Sequence, residues 1–174
     1  MIATIPKQYT GDGADQPPLA KLSPNGQFCF AETPDGWISS HLSSTGEIIP
    51  LIEAVIAKMA SRCFSEKDIF GMRLALEEAL VNSVKHGHRY ESTKKVEIRY
   101  RVCHEHTLVQ IQDQGPGFDP TWIPDPTAPE NLARPCGRGV LLMRFYTTWI
   151  RYNERGNCVT LCKCPSVTAM NGTE

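Results

Sequence analysis

Apolar positions along the chain change period several times, and each change marks an element. Trp37 to Leu42 alternates as a short strand does, and Thr45-Gly46 is a turn before the run Ile48 to Phe64, whose apolar residues recur at helical spacing. Ser65 followed by Asp68 supplies a serine cap with an acidic residue three places on, ahead of a second periodic segment, Ile69 to His86. Within that segment Leu76, Leu80 and Val84 form one stripe, while Ala75, Glu78, Asn82 and His86 form another that is largely polar and need not be core.

Beyond Gly87, the segments Lys95 to Cys103 and Thr107 to Asp113 alternate polar and apolar residues around Glu105-His106, the pattern of a β-hairpin. Gly115 to Pro135 carries six prolines and little periodicity, too long and irregular for an idle connection in a compact domain. Gly137-Arg138-Gly139 opens the apolar run Val140 to Tyr146, a third helix, and strands at Thr148 to Asn153 and Asn157 to Lys163 flank a turn at Arg155-Gly156. Tyr9 to Gly36 is rich in Gly, Pro, Asp, Ser and Gln. The chain therefore divides into an arm over 1–36, one domain over 37–164 and a frayed tail over 165–174. The order of elements implies an α+β two-layer sandwich with the helices on one sheet face.

Composition narrows the function classes. An apolar share of 41% and a charged share of 21% over 174 residues describe an ordinary globular domain. Eighteen basic residues against 19 acidic ones leave a net charge of -1, with no broad field to attract nucleic acid or anionic lipid. Met1 to Thr10 lacks a basic stretch followed by an apolar run, and no segment approaches bilayer length, so a cytoplasmic location is expected. Seven cysteines cannot all pair with one another. Cys158, Cys162 and Cys164 could suggest zinc, but no second cluster with metal-site spacing accompanies them, and alternation places all three on one strand face as packed thiols.

Three short motifs carry chemistry. Glu78 and Asn82 stand four residues apart, side by side on a helix; an asparagine carbonyl suits magnesium, and a neighbouring carboxylate can accept a hydroxyl proton. Asp113-Gln114-Gly115-Pro116-Gly117 ends a strand on a carboxylate able to accept from an exocyclic amine, followed by glycines that let backbone approach a ligand. Gly137 and Gly139 precede a helix, where unpaired amides and the dipole favour phosphate, and Arg138 adds a cationic fork. Taken singly, these motifs describe a solvated helix face, a turn and a common helix start.

Taken in order, Glu78-x-x-x-Asn82 with Lys85-His86-Gly87, then Asp113-x-Gly115-x-Gly117, then Gly137-x-Gly139 before a helix resemble the motif set of the GHKL, or Bergerat-fold, ATPases. Chain size and the Glu-x-x-x-Asn form are similar to the anti-sigma-factor serine/threonine kinases of bacterial partner switching. That resemblance implies a mixed, mostly antiparallel sheet, ATP and Mg2+ as cofactors, Asn82 as metal ligand and Glu78 as catalytic base. It also implies that Asp113 selects adenine, and that Gly115, Gly117, Gly137, Arg138 and Gly139 frame the nucleotide under a lid running from Pro116 to Arg138. The partners it implies are a sigma factor and an anti-sigma-factor antagonist, with a homodimer as the expected assembly. Glu77, adjacent to Glu78, leaves the register of the base open, and Thr160 is the candidate for a threonine near the adenine-binding aspartate.

Two features depart from that family pattern or rival it. The helix after Gly139 ends Met143-Arg144-Phe145-Tyr146 without the acidic residue usual in these kinases. A module that binds ATP and a partner without phosphoryl transfer is the alternative reading, against which the presence of Glu78 argues. A histidine-kinase catalytic domain would call for a preceding helical hairpin with a phospho-accepting histidine. The ATP-driven topoisomerase, chaperone and mismatch-repair machines call for transducer domains. His41, His86, His88, His104 and His106 are read as surface or structural.

Overall fold

The computed structural model describes residues 31–32, 36–62, 64–87, 94–119 and 138–166. Six strands form one sheet in the order β1-β2-β3-β4-β6-β5, with β1 at Ala31–Glu32, β2 at Ile38–Leu42, β3 at Val96–Val102, β4 at Thr107–Gln112, β5 at Trp149–Tyr152 and β6 at Cys158–Lys163. Every described strand pair is antiparallel. Three helices, α1 (Ile48–Ala60), α2 (Glu66–Asn82) and α3 (Arg138–Tyr146), complete the α+β sandwich. Among the described residues no helix is long and apolar enough to cross a membrane.

Strand pleating sorts the side chains cleanly. Ile38 and Leu42 of β2, Val96, Ile98 and Tyr100 of β3, Val109 and Ile111 of β4, and Val159 and Leu161 of β6 join the core under the helices. The helices meet them with Leu51, Val55, Met59, Met72, Leu76, Leu80 and Met143. Intervening positions, among them Glu97, Arg99, Arg101, Gln110, Thr160 and Cys162, fall on the opposite, helix-free face. There Arg99 stacks over Trp37 at 5.4 Å and Arg151 over Trp149 at 5.2 Å.

Local chemistry sets the helix ends, and several differ from the periodic runs. The expected turn at Thr45-Gly46 is a 3-10 turn over Thr45–Glu47, where Ser44 N–H donates to Glu47 Oε2 at 3.1 Å. Pro50 is tolerated because it lies in the first turn of α1, where its missing N–H breaks no intrahelical bond. This helix stops at Ala60, short of the expected Phe64, as Ser61 Oγ bonds Lys58 O at 2.8 Å and Arg62 N bonds Met59 O at 3.0 Å. Ser65 caps α2 reciprocally with Asp68, so the helix begins at Glu66, ahead of the expected Ile69.

At its far end α2 gives way after Asn82 to a π-helical turn, Ser83–Gly87, and Ser83 Oγ donates back to Ala79 O at 3.0 Å. Asp68 is fully buried and accepts from Lys163 Nζ at 3.0 Å and from Ser166 N at 2.9 Å, tying β6 and the start of the tail to the first turn of α2. Burial alone would raise its pKa, but hydrogen bonds from Ser166, Ser65 and Lys163 hold it well below the usual carboxylate range.

Candidate functional site

The α2–α3 seam is where the structure first brings the expected residues together. Gly71 near the start of α2 faces Tyr146 at the end of α3, and Gly139 at the start of α3 faces Glu78 and Asn82, so the two helices run antiparallel. Contact at both ends needs a missing side chain. A Cβ on Gly71 would stand 2.8 Å from Tyr146 Cδ1, and one on Gly139 would stand 2.5 Å from Glu78 Oε2 and 3.3 Å from Asn82 Nδ2. The first turn of α3, at the positive end of the helix dipole, thus lies directly against the Glu78–Asn82 stripe.

Glu78 and Asn82 are half-buried while Glu77 is exposed beside Arg73, so Glu78 is the carboxylate at the seam. Ala75, assigned with them to a polar stripe, is fully buried and packs as core. Arg138 is exposed at the first position of α3. Gly137, most of the expected lid and the side chain of His86 lie outside the described residues.

A second group forms where β4 ends. Asp113 N–H donates to Asn157 O at 2.9 Å, Asn157 Nδ2 donates to Asp113 O at 2.9 Å, and Asp113 Oδ1 accepts from Gly115 N at 2.7 Å. Alternation carried past Gln112 sets half-buried Asp113 on the helix side of the sheet with Val109 and Ile111. Gly117, at φ +77, passes so close to the β5–β6 turn that a Cβ would fall 1.9 Å from Arg155 O. Arg155 spans the same segment: its N–H groups donate to Gly115 O at 3.1 Å and Pro116 O at 3.5 Å, and its carbonyl accepts from Phe118 N at 3.1 Å. Phe118 packs edge-on against Tyr152 at 5.1 Å, and burial pushes the Tyr152 hydroxyl up to about 12.

Thr160 is not the residue beside Asp113. It pairs with Gln110 and shares the helix-free face, whereas Asn157 brackets the Asp113 peptide on both sides. Sequence reading passed over Asn157 and Arg155 because Arg155-Gly156-Asn157 has the composition of an ordinary hairpin turn. The available signal was adjacency: if β4 and β6 pair antiparallel, the turn that opens β6 must meet the Asp-x-Gly-x-Gly run that follows β4.

A family model described as the histidine kinase-like ATPase domain matches residues 42–163. The chain belongs to this family. The match begins at the last residue of β2 and ends with β6, so it takes in the α2–α3 seam and the Asp113 loop together. Among curated proteins, the chain is 30% identical to the serine-protein kinase RsbW of Bacillus licheniformis over 74 residues, 42% of this chain and 46% of that protein. It is 30% identical to the RsbW of Listeria innocua over 83 residues, 47% of this chain and 53% of that protein. The match to the RsbW of Oceanobacillus iheyensis is longer and weaker, 24% over 126 residues, covering 68% of this chain and 80% of that protein. The chain thus spans about half the length of the first two relatives.

Proposed function

We propose that the chain is a Mg2+-dependent, ATP-using serine/threonine kinase that restrains a sigma factor in the cytoplasm and phosphorylates that factor's antagonist. The observation that carries this reading is the meeting of a glycine-opened helix start with a Glu-x-x-x-Asn stripe at Gly139, Glu78 and Asn82. A methyl group would fill the space between these groups, so the seam is built for backbone to approach side-chain oxygen. A carboxylate, an amide carbonyl and a helix N-terminus are the donors and acceptors that phosphoryl transfer from a nucleotide calls for.

In this reading Asn82 holds the magnesium ion through its amide oxygen, and the metal supplies charge neutralisation at the phosphates. Glu78 accepts the proton of the attacking hydroxyl. The amides at the start of α3, with Gly137, Arg138 and Gly139, hold phosphate oxygens. Asp113 accepts from the adenine amine, and Gly115 and Gly117 let the backbone lie against the base. The names of the RsbW relatives support serine as the acceptor residue.

The test is transfer of labelled γ-phosphate from Mg-ATP to a partner-switching antagonist by wild type and Glu78→Gln. Transfer by wild type that falls by about 10²–10⁴-fold in Glu78→Gln, with ATP binding retained, supports the kinase reading. ATP binding by wild type without transfer to any antagonist overturns it in favour of a nucleotide-binding module that only holds a partner.

A further inference from the structure

The helix-free face of the sheet holds a second cluster of ligand-type side chains, away from the α2–α3 seam. At the β3–β4 turn, Cys103 N–H donates to His106 O at 3.0 Å, and the Cys103 thiol donates to the same carbonyl at 3.2 Å. Cys103 Sγ, a carboxylate oxygen of Glu105 and a ring nitrogen of His106 all lie within 4.8 Å of one another. Cys103 and His106 are half-buried and Glu105 is exposed, so the group is held in place yet open to solvent.

The neighbouring strand adds sulfur to this group. Thr107 pairs with Lys163 and Leu108 with Cys162, and the same register continued by one residue sets Cys164 opposite His106. Cys103, His106 and Cys164 thereby form one row across three chain segments, all on the helix-free face by alternation. Behind the row, buried Cys162 lies on the same face of β6 as exposed Cys164. The cysteine spacing lacks a second ligand pair when it is read along the chain; the hairpin topology supplies one.

We propose that the clustered Cys103, Glu105 and His106, joined by rotation of the Cys164 side chain from its register position opposite His106, form a binding site for a zinc-like divalent cation that staples the β3–β4 turn to the end of β6. Two sulfurs, an imidazole and one carboxylate make a mixed set that suits a borderline-soft, four-coordinate ion and that magnesium and calcium do not select. Binding replaces the Cys103 thiol bond to His106 O with a sulfur–metal bond, and the Cys164 thiol forms a second sulfur–metal bond. The displaced thiol protons pass to solvent.

The test uses the full chain, freed of metal under reducing conditions and titrated with Co2+, then with Zn2+ as competitor. Wild type is expected to bind one Co2+ per chain, with a sulfur-to-metal charge-transfer absorption that Zn2+ abolishes. Cys103→Ser should weaken uptake by more than about 100-fold, beyond what loss of an outer-shell partner costs, and Cys164→Ser, at an exposed position, by about tenfold or more. Asn82→Ala should take up Co2+ as wild type does, which separates this site from any magnesium at the seam. The proposal is overturned if wild type shows no charge-transfer band, or if the band survives either serine substitution unchanged. Loss of the band in Asn82→Ala also overturns it.

Discussion

At Gly139 a methyl group would meet the end of a flexible side chain, the Glu78 carboxylate, at 2.5 Å, whereas at Gly117 it would meet the Arg155 carbonyl at 1.9 Å in backbone already at φ +77. The two alanine substitutions therefore differ in kind. Gly139→Ala can be accommodated by swinging Glu78 aside, and alanine regains up to about 1 kcal/mol of helix propensity, so the melting temperature should barely move. Its effect should fall on chemistry, with transfer reduced by at least about tenfold and ATP affinity reduced less, read by steady-state kinetics beside calorimetry. Gly117→Ala must displace backbone, and should cost about 2 kcal/mol or more by urea denaturation while weakening nucleotide binding. Asn82 and Glu78 were legible from their spacing because four residues on a helix define a face. Asn157 and Arg155 were not, because their contacts with Asp113 and Gly115 run through backbone groups and depend on a β4–β6 register that no local pattern encodes.

Helices and strands were legible where period and capping agreed. The Ser65–Asp68 box fixes the start of α2, and Ser65→Ala should lower stability by about 1 kcal/mol, visible as a shift in the urea midpoint with an unchanged slope. The hairpin of β3 and β4 followed from alternation, and its pairing of Val102 with Thr107 makes Cys103 to His106 the turn, two residues wider than the expected Glu105-His106 and with Cys103 outside the strand. Helix ends were less legible. Phe64 continues the apolar spacing of α1 yet reaches the core, at 8% exposure, from beyond the helix end, so periodicity alone overran the element by four positions. At the end of α2, Ser83 bonding back to Ala79 O accompanies the widening of the last turn, a side-chain choice that apolar periodicity does not register.

Across the molecule, Asp68 joins α2 to β6 and to Ser166, and its depressed pKa makes stability depend on pH in a definite direction. A carboxylate held below its ordinary value of 3.8 contributes fully above that pH and loses its contribution as pH falls towards the folded-state value. Asp68→Asn should thus cost roughly 3 kcal/mol at about pH 7, only modestly less at about pH 3, where the folded carboxylate is still ionised, and much less only as pH falls below about 2, measured as urea midpoints across that range. The sandwich itself was legible from element order, whereas the strand order β1-β2-β3-β4-β6-β5, which brings the β5–β6 turn under the Asp113 loop, emerges only from the fold. The central claim is that the α2–α3 seam and the Asp113 loop together bind ATP with magnesium. Calorimetry of Mg-ATP binding by wild type, Asn82→Ala, Asp113→Asn and Glu78→Ala tests it most directly. Binding by wild type and Glu78→Ala, with loss in Asn82→Ala and Asp113→Asn, is the predicted result; absence of nucleotide binding by the wild-type chain in the presence of magnesium would contradict it.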